Sequence, residues 1–288
     1  MERALVIAEA GLNWNKSEVL LLELIEMAAQ SGADFVKFQK RSPTLSTPRS
    51  QWDMMRTPPW GGDPITYIEY RKQIEMWDYQ FNLIDRECRR FGIEWFSSVW
   101  DVPSVRFIMQ YSVPFLKIPS AKLTDDELVI ECAKIDLPLI LSTGMSTLDE
   151  IDHAVDVWTE TKNQIYKIAK IDTDLCLFHC NSSYPTPDNE ISLTTMRSLQ
   201  KRYGCRIGFS SHHKSPFPAI YSALLGADLI EAHITTDRTL PGTDHAASLE
   251  KHGLELLVRE VHRIPNLMGD GTKKVWPSEE GPRKKLRG

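Results

Sequence analysis

The feature that most constrains this chain is a unit repeated eight times: a short apolar, β-branched run, a polar or glycine-containing corner, then a stretch with helical period. The runs are LVIAEAG from Leu5, FVKFQ from Phe35, EWFSSV from Glu94, FLKIPS from Phe115, LPLILSTG from Leu137, LCLFHC from Leu175, RIGFSS from Arg206 and LIEAHIT from Leu229. Between them lie helical patterns such as SEVLLLELIEMAAQSG from Ser17, TDDELVIECAKI from Thr124, STLDEIDHAVDVW from Ser146 and SLEKHGLELLVREVHRI from Ser248. Ser146 with Asp149, and Thr124 with Glu127, carry the signature of helix N-terminal caps. Strand then helix, eight times, predicts a (β/α)8 TIM barrel over residues 1–270, followed by a basic tail over residues 271–288. A doubly wound open sheet is the rival, but it normally uses fewer strands and a glycine-rich first turn, and GxGxxG does not occur.

The length of 288 residues accommodates one barrel of about 250 residues. With 42% hydrophobic and 25% charged residues the chain has the composition of a soluble globular protein. No apolar run approaches the roughly 18 residues that span a bilayer, and MERALVIAEAGLNWN carries acids inside too short an apolar stretch for a signal peptide, so a cytoplasmic protein without membrane contact is expected. Cys88, Cys132, Cys176, Cys180 and Cys205 are an odd set within apolar or helical patterns, which points to buried free thiols in a reducing compartment. The net charge of −5 argues against nucleic acid as a partner, so an anionic ligand must be met by a local cluster of positive groups.

Two segments break the rhythm. Lys40 to Tyr67 is a long connection carrying Trp52, Met54, Met55, Pro58, Pro59 and Trp60, which suggests a lid over the site or a surface that packs on a second copy in a homo-oligomer. The tail from Lys273 to Arg287 is basic and reads as a solvated extension, with an anion-binding arm as the alternative.

In a βα barrel the chemistry sits at the carboxyl ends of the strands, and here those ends are polar. They carry Glu9, then Lys37 with Gln39, Ser97 with Ser98, Lys117 with Ser120, and Ser142 with Thr143. Then come His179 with Asn181, Ser182 and Tyr184, Ser210 with His212, and Glu231 with His233. A lysine inside an apolar strand needs an anionic partner, which for Lys37 and Lys117 is either an internal carboxylate such as Glu9 or Glu231, or a bound anion. Two such lysines beside Ser98, Ser120, Ser142 and Ser210 favour phosphate, whose charge meets ammonium and whose oxygens accept hydroxyl hydrogen bonds. His212 and His233 fall at matching ends of adjacent strands, with Glu231 nearby, and can converge on a divalent metal. Two firm ligands leave positions open for water and substrate, as a Lewis-acid site requires. His213 is expected to face the other way, and His153, His252 and His262 fall on helices.

The ordered segments IAEAGLNWN, GADFVKFQ, TYIEYR, FSSVWD, VPFLKIPSAKLT, LPLILSTGMST, HCNSSYPTP, IGFSSHH, IEAHIT and DRTLPGTDHAASLE resemble the barrel domain of the N-acetylneuraminate (sialic acid) synthase family over nearly the whole chain. The resemblance implies an enzyme that joins phosphoenolpyruvate to N-acetylmannosamine, mannose or their 6-phosphates, releasing phosphate, with Mn2+, Co2+ or Mg2+ as cofactor. It implies His212 and His233 as metal ligands. It places Lys37, Ser98, Lys117, Ser120, Ser142, Ser182 and Ser210 around phosphoenolpyruvate, and Glu9, Gln39, Tyr184, Glu231 and Asp244 near the acceptor or its reacting centre.

Four departures stand out. Trp14 occupies a position where the family commonly has His, and Ser182 one where Asn is common. Lys122 stands where Glu is frequent; it either favours an anionic acceptor or pairs with Asp125, Asp126 or Glu127. The sequence ends at Gly288, where many members continue into a small antifreeze-like domain that lends an arginine to the neighbouring subunit's sugar. The alternatives left open are a metal-dependent phosphosugar aldolase and a barrel that binds sugar phosphates without catalysis.

Overall fold

Inward and outward residues alternate along each predicted strand, and eight strands of this kind satisfy all their edges only by closing on themselves. A computed structural model, describing residues 2–167 and 174–288, has this form. The first half runs β1 (Leu5–Glu9), α1 (Glu18–Gln30), β2 (Phe35–Lys40), α2 (Pro43–Ser46), the short hairpin β3 (Met55–Arg56) and β4 (Ile65–Thr66), α3 (Tyr67–Ile74), α4 (Asp78–Phe91), β5 (Glu94–Val99), α5 (Val102–Ile108) and β6 (Leu116–Ile118). It continues with α6 (Asp126–Ala133), β7 (Leu139–Ser142), α7 (Leu148–Tyr166), β8 (Leu175–Cys180), α8 (Thr195–Tyr203), β9 (Arg206–Ser211), α9 (Phe217–Leu224), β10 (Leu229–His233), α10 (Lys251–Met268) and α11 (Pro277–Arg287). The barrel closes in the order β1-β10-β9-β8-β7-β6-β5-β2, with every neighbouring pair parallel. Closure excludes the open doubly wound sheet.

The register decides what meets at the rim. Glu9 lies opposite both Lys37 and His233, Gln39 opposite Ser98, Ser98 opposite Lys117, and Glu231 opposite Ser210. Below them the barrel is plugged by apolar rings: Phe35, Phe96 and Phe115 pack edge to face at 5.4–5.8 Å. Gly208 leaves the space that Phe178 fills, since a Cβ there would come within 2.1 Å of the ring. The helices cover the outer face with stripes at helical spacing, such as Leu21, Leu24, Ile25 and Ala28 on α1, and Leu254, Leu257, Val258 and Val261 on α10. Each fully buried aliphatic side chain of this kind contributes about 1.5–3 kcal/mol.

Two predicted caps shift by one residue. Thr147, not Ser146, caps α7, because its extended backbone lets its side chain accept from Glu150 N while Glu150 reaches back to Thr147 N at 2.7 Å. On α6 the cap is Asp125, which accepts from Leu128 N, rather than Thr124. The Lys40–Tyr67 connection is folded: Trp60 stacks on Tyr70 at 5.5 Å, while Met54 and Met55 remain exposed. Beyond α10, α11 buries none of its residues. All five cysteines are free and buried. No helix among the described residues is long and apolar enough to cross a membrane.

Candidate active site

Strand parity selects the site. Residues 37 and 39 on β2, 98 on β5, 117 on β6, 142 on β7, 180 on β8, 210 on β9, and 231 and 233 on β10 point into the barrel mouth. They line a cavity of about 220 Å3 at the carboxyl ends of the strands. Glu9, Ser120, Ser182, Tyr184 and His212 complete the predicted set around it, and only Lys122 and Asp244 of that set do not line it. Ser97, Thr143 and His179, although near the same rim, have the opposite parity. Thr143 Oγ1 donates to Phe178 O and His179 Nε2 meets Ile191 O, both at the outer face of the strands. His213 turns away to Asp188, and His245, which sequence reasoning did not single out, is a buried structural residue between Asn15 and Thr235.

At the floor of the cavity lies a layer of four buried charges. Lys117 Nζ reaches both oxygens of Glu231, at 2.7 and 2.6 Å, and Lys37 Nζ sits 2.8 Å from Glu9 and 3.6 Å from Glu231. Ser98 and Gln39 extend the network: Lys37 donates to Ser98 Oγ, and Gln39 Nε2 donates to Glu9 Oε1. The internal-carboxylate partnership is therefore the one the structure has. Burial would raise the Glu231 carboxyl, but Lys117 and Lys37 outweigh it and hold it down to about 2. Burial also dominates at Lys117 and holds that ammonium below its ordinary value. At Lys37 burial acts in the same direction, yet the charges of Glu231 and Glu9 overcome it and hold the ammonium above.

The wall between β6, β7 and β8 is a cradle of small groups. A Cβ on Gly144 would come within 2.6 Å of Ser182 Oγ, 2.9 Å of Cys180 Sγ and 2.9 Å of Ser120 Oγ, so a larger residue would push the cradle's side chains apart. Its N–H points at Ser120 Oγ, 3.1 Å away. Three strand ends thus bring hydroxyls and a backbone N–H to one place beside Lys117, the donor set that a phosphoryl group takes.

The adjoining wall, at the ends of β9 and β10, holds the imidazoles. His212 and His233 have ring centroids 5.4 Å apart. His212 Nδ1 donates to Asn181 O, which fixes the tautomer and turns the Nε2 lone pair toward Tyr184 Oη, its donor at 2.8 Å. Burial, and after it the charge of His233, push His212 down to about 3, so it is neutral at pH 7. His233 Nδ1 is buried without a hydrogen-bond partner among the described residues, 3.7 Å from Asp244 Oδ2. Among the described residues no group of three or more His, Cys, Asp or Glu comes together as a metal-holding set. The orphaned nitrogen of His233 beside the neutral, oriented imidazole of His212 fits a divalent ion with positions left for water and substrate.

Lys122 takes its local partner, Asp125, at 3.0 Å, and Ala121 faces the cavity in its place. Sequence reasoning missed Trp100, Cys180 and Met145 on the cavity wall, and Arg41 just behind it. Parity was the available signal, since positions 98 and 100, 180 and 182, and 37, 39 and 41 continue the inward series.

The sequence matches the NeuB family over residues 24–273. It is 33% identical over 284 residues to the N,N'-diacetyllegionaminic acid synthase of Campylobacter jejuni, covering 97% of this chain and 82% of that protein. It is 31% identical to the human N-acetylneuraminate-9-phosphate synthase, covering 98% of this chain and 76% of that one. The crystal structure of an N-acetylneuraminic acid synthetase from Leptospira borgpetersenii superposes with a TM-score of 0.83 at 29% identity, covering 99% of this chain and 93% of that one. The chain belongs to the NeuB family of sialic acid synthases and is a nonulosonic acid synthase.

Proposed function

We propose that this enzyme condenses phosphoenolpyruvate with the aldehyde of a mannose-type hexose, N-acetylmannosamine, mannose or their 6-phosphates, and releases inorganic phosphate. The observation that carries this reading is the pairing of two adjoining walls in one cavity. A hydroxyl cradle around Gly144 beside Lys117 stands next to two converging imidazoles, His212 and His233. Charge supports it as well. Lys37 and Lys117 are already matched by Glu9 and Glu231, so a phosphoryl group bringing about −1.5 to −2 charges needs further positive charge at the site.

His212 and His233 would hold that charge as a divalent ion, Mn2+ or alternatively Co2+ or Mg2+, whose Lewis acidity would polarise the aldehyde oxygen. The chain's own residues bind and orient. Ser120, Ser142, Ser182 and Gly144 N–H receive the phosphoryl oxygens with Lys117 and Lys37, while Ser98 holds the other end of phosphoenolpyruvate. Gln39 and Tyr184 face the acceptor. The C2=C3 electrons of phosphoenolpyruvate attack the aldehyde carbon, whose oxygen becomes a hydroxyl on taking a proton. Water adds to the electron-poor C2 and gives up a proton. The C2 hydroxyl of the tetrahedral intermediate then loses its proton as the bond from C2 to the bridging phosphate oxygen breaks, leaving a 2-keto acid and phosphate. Glu9 and Glu231, paired with these lysines on the cavity floor, are the candidates for moving these protons, and Lys37 and Lys117 stabilise the departing dianion. Five buried unpaired thiols support a reducing, cytoplasmic setting.

The test is phosphate release from phosphoenolpyruvate across a panel of hexose aldehydes, with and without Mn2+. Release that requires both a sugar and the metal is expected. Cleavage or formation of a sugar without phosphate release would make it an aldolase, and no turnover with any aldose would make it a binding protein.

A further inference from the structure

Arg41 follows β2 with the inward parity of Lys37 and Gln39 and is 4% exposed. Its guanidinium carbon stacks 3.7 Å above the ring of Trp100, a wall residue of the cavity, and its Nη2 donates to Gln39 Oε1. Its Nε is buried with no hydrogen-bond partner among the described residues. Arg71 comes from α3 and lies over Tyr67 at 5.0 Å, and its Nε and Nη1 are likewise buried without a partner among the described residues. The nearest acid of this corner, Glu75, is already engaged by Lys40 Nζ at 2.7 Å and by Arg41 N at 3.0 Å.

Two guanidiniums whose charges act on one another, with three buried side-chain nitrogens unanswered among the described residues, form a corner with room in its charge balance for an anion from outside the chain. Burial and then the charge of Arg71 push Arg41 down to about 9, the direction that a bound anion would reverse. The corner adjoins the cavity through two of its wall residues. Trp100 and Gln39 belong to both, and Asp244, whose charge reaches Arg41, stands 3.7 Å from His233 Nδ1.

We infer that Arg41 and Arg71 form an oxyanion subsite beside the cavity, which takes the phosphate or carboxylate carried at the far end of the acceptor sugar. The inference rests on the reading of the cavity as an aldose site. It moves recognition of an acidic acceptor away from Lys122, which Asp125 occupies, to the Lys40–Tyr67 connection and the helix that follows it.

Calorimetric titrations with a chelator present, so that no turnover occurs, test it. The probes are mannose, mannose 6-phosphate and mannuronate on protein saturated with phosphoenolpyruvate, and phosphoenolpyruvate itself on the free protein. At least one anionic sugar is expected to bind about tenfold or more tighter than mannose, and which one identifies the anion. Arg71→Gln should bring that ratio close to one, and Arg41→Lys, which keeps the charge but loses the fork, should lower it. Equal affinities in the unmodified protein, no sugar binding at all, or a ratio unchanged in both variants would overturn the subsite. Phosphoenolpyruvate affinity reports separately on the cavity: its absence would sink the proposed reaction and leave the sugar ratio, measured on the free protein, to decide the subsite.

Discussion

Replacing Lys117 with Met removes one half of the tightest buried ion pair in the barrel while keeping the length of the side chain. Lys117 and Glu231 have side chains only 4% and 3% exposed, and the ammonium contacts both carboxylate oxygens. Without it Glu231 keeps Ser210 at 3.1 Å and Lys37 at 3.6 Å. Breaking one partner of a buried pair typically destabilises by about 3–5 kcal/mol. Holding Glu231 near 2 instead of its ordinary 4.5 corresponds to about 3 kcal/mol by a second route, shared between Lys117 and Lys37. Urea denaturation at pH 7 should show a loss of about 3–4 kcal/mol for Lys117→Met. The double variant Lys117→Met/Glu231→Gln should recover most of it, because a buried pair replaced by neutral groups of similar size is close to neutral overall. The pH dependence follows. In the unmodified protein Glu231 is depressed, so its contribution is present above its unfolded pKa and is lost as pH falls from about 4.5 toward 2. In Lys117→Met burial is opposed chiefly by Lys37, so the Glu231 carboxyl lies higher than in the unmodified protein; the deficit of the variant starts to shrink as pH falls through that higher value and goes on shrinking toward pH 2 as the unmodified protein loses its own contribution. A single variant within about 1 kcal/mol of the unmodified protein, or a double variant no more stable than the single one, would refute the four-charge layer as the organising element of the floor.

Gly144→Ala should impair phosphoenolpyruvate binding by about tenfold or more and destabilise by about 1–3 kcal/mol, because its Cβ meets three side chains of the cradle at once; calorimetry and urea midpoints measure the two effects. His233→Ala should abolish Mn2+ binding by titration calorimetry while leaving the thermal midpoint within a few degrees, since Nδ1 holds no hydrogen bond whose loss would weaken the fold. Thiol titration of the native protein should leave Cys88 and Cys132 unreactive until denaturant is added, because burial pushes both thiols well above the physiological range.

The barrel was legible because each strand signals itself twice, by its β-branched run and by the helical period after it, and closure follows from the count. Lys37, Gln39, Ser98, Lys117, Ser210, Glu231 and His233 were legible because alternation along a strand fixes which side chains share a face. The same rule, applied without parity, admitted His179, Ser97 and Thr143, which point outward, and stopped short of Arg41 and Trp100, which continue the series past the strand ends. Glu9 and Glu231 were legible as candidate partners of Lys37 and Lys117, with a bound anion as the alternative, but which lysine takes which acid was not. Glu231 lies 114 residues from Lys117, and only closure of the barrel brings them together. Helix caps failed by one residue for a local reason: adjacent Ser146 and Thr147 both satisfy the pattern, and only the backbone angles at Thr147 select the one that bonds.

The most direct test of the proposed reaction follows the bridging oxygen. Phosphoenolpyruvate carrying 18O between C2 and phosphorus is incubated with the enzyme, Mn2+ and the aldose that supports turnover, and the released phosphate is examined by mass spectrometry. Attack through C3, addition of water at C2 and rupture of the C2–O bond predict that the label leaves with the phosphate. They also predict one phosphate per nine-carbon keto acid formed from a hexose. Label retained in the keto acid, or a sugar product formed without phosphate, would contradict the account.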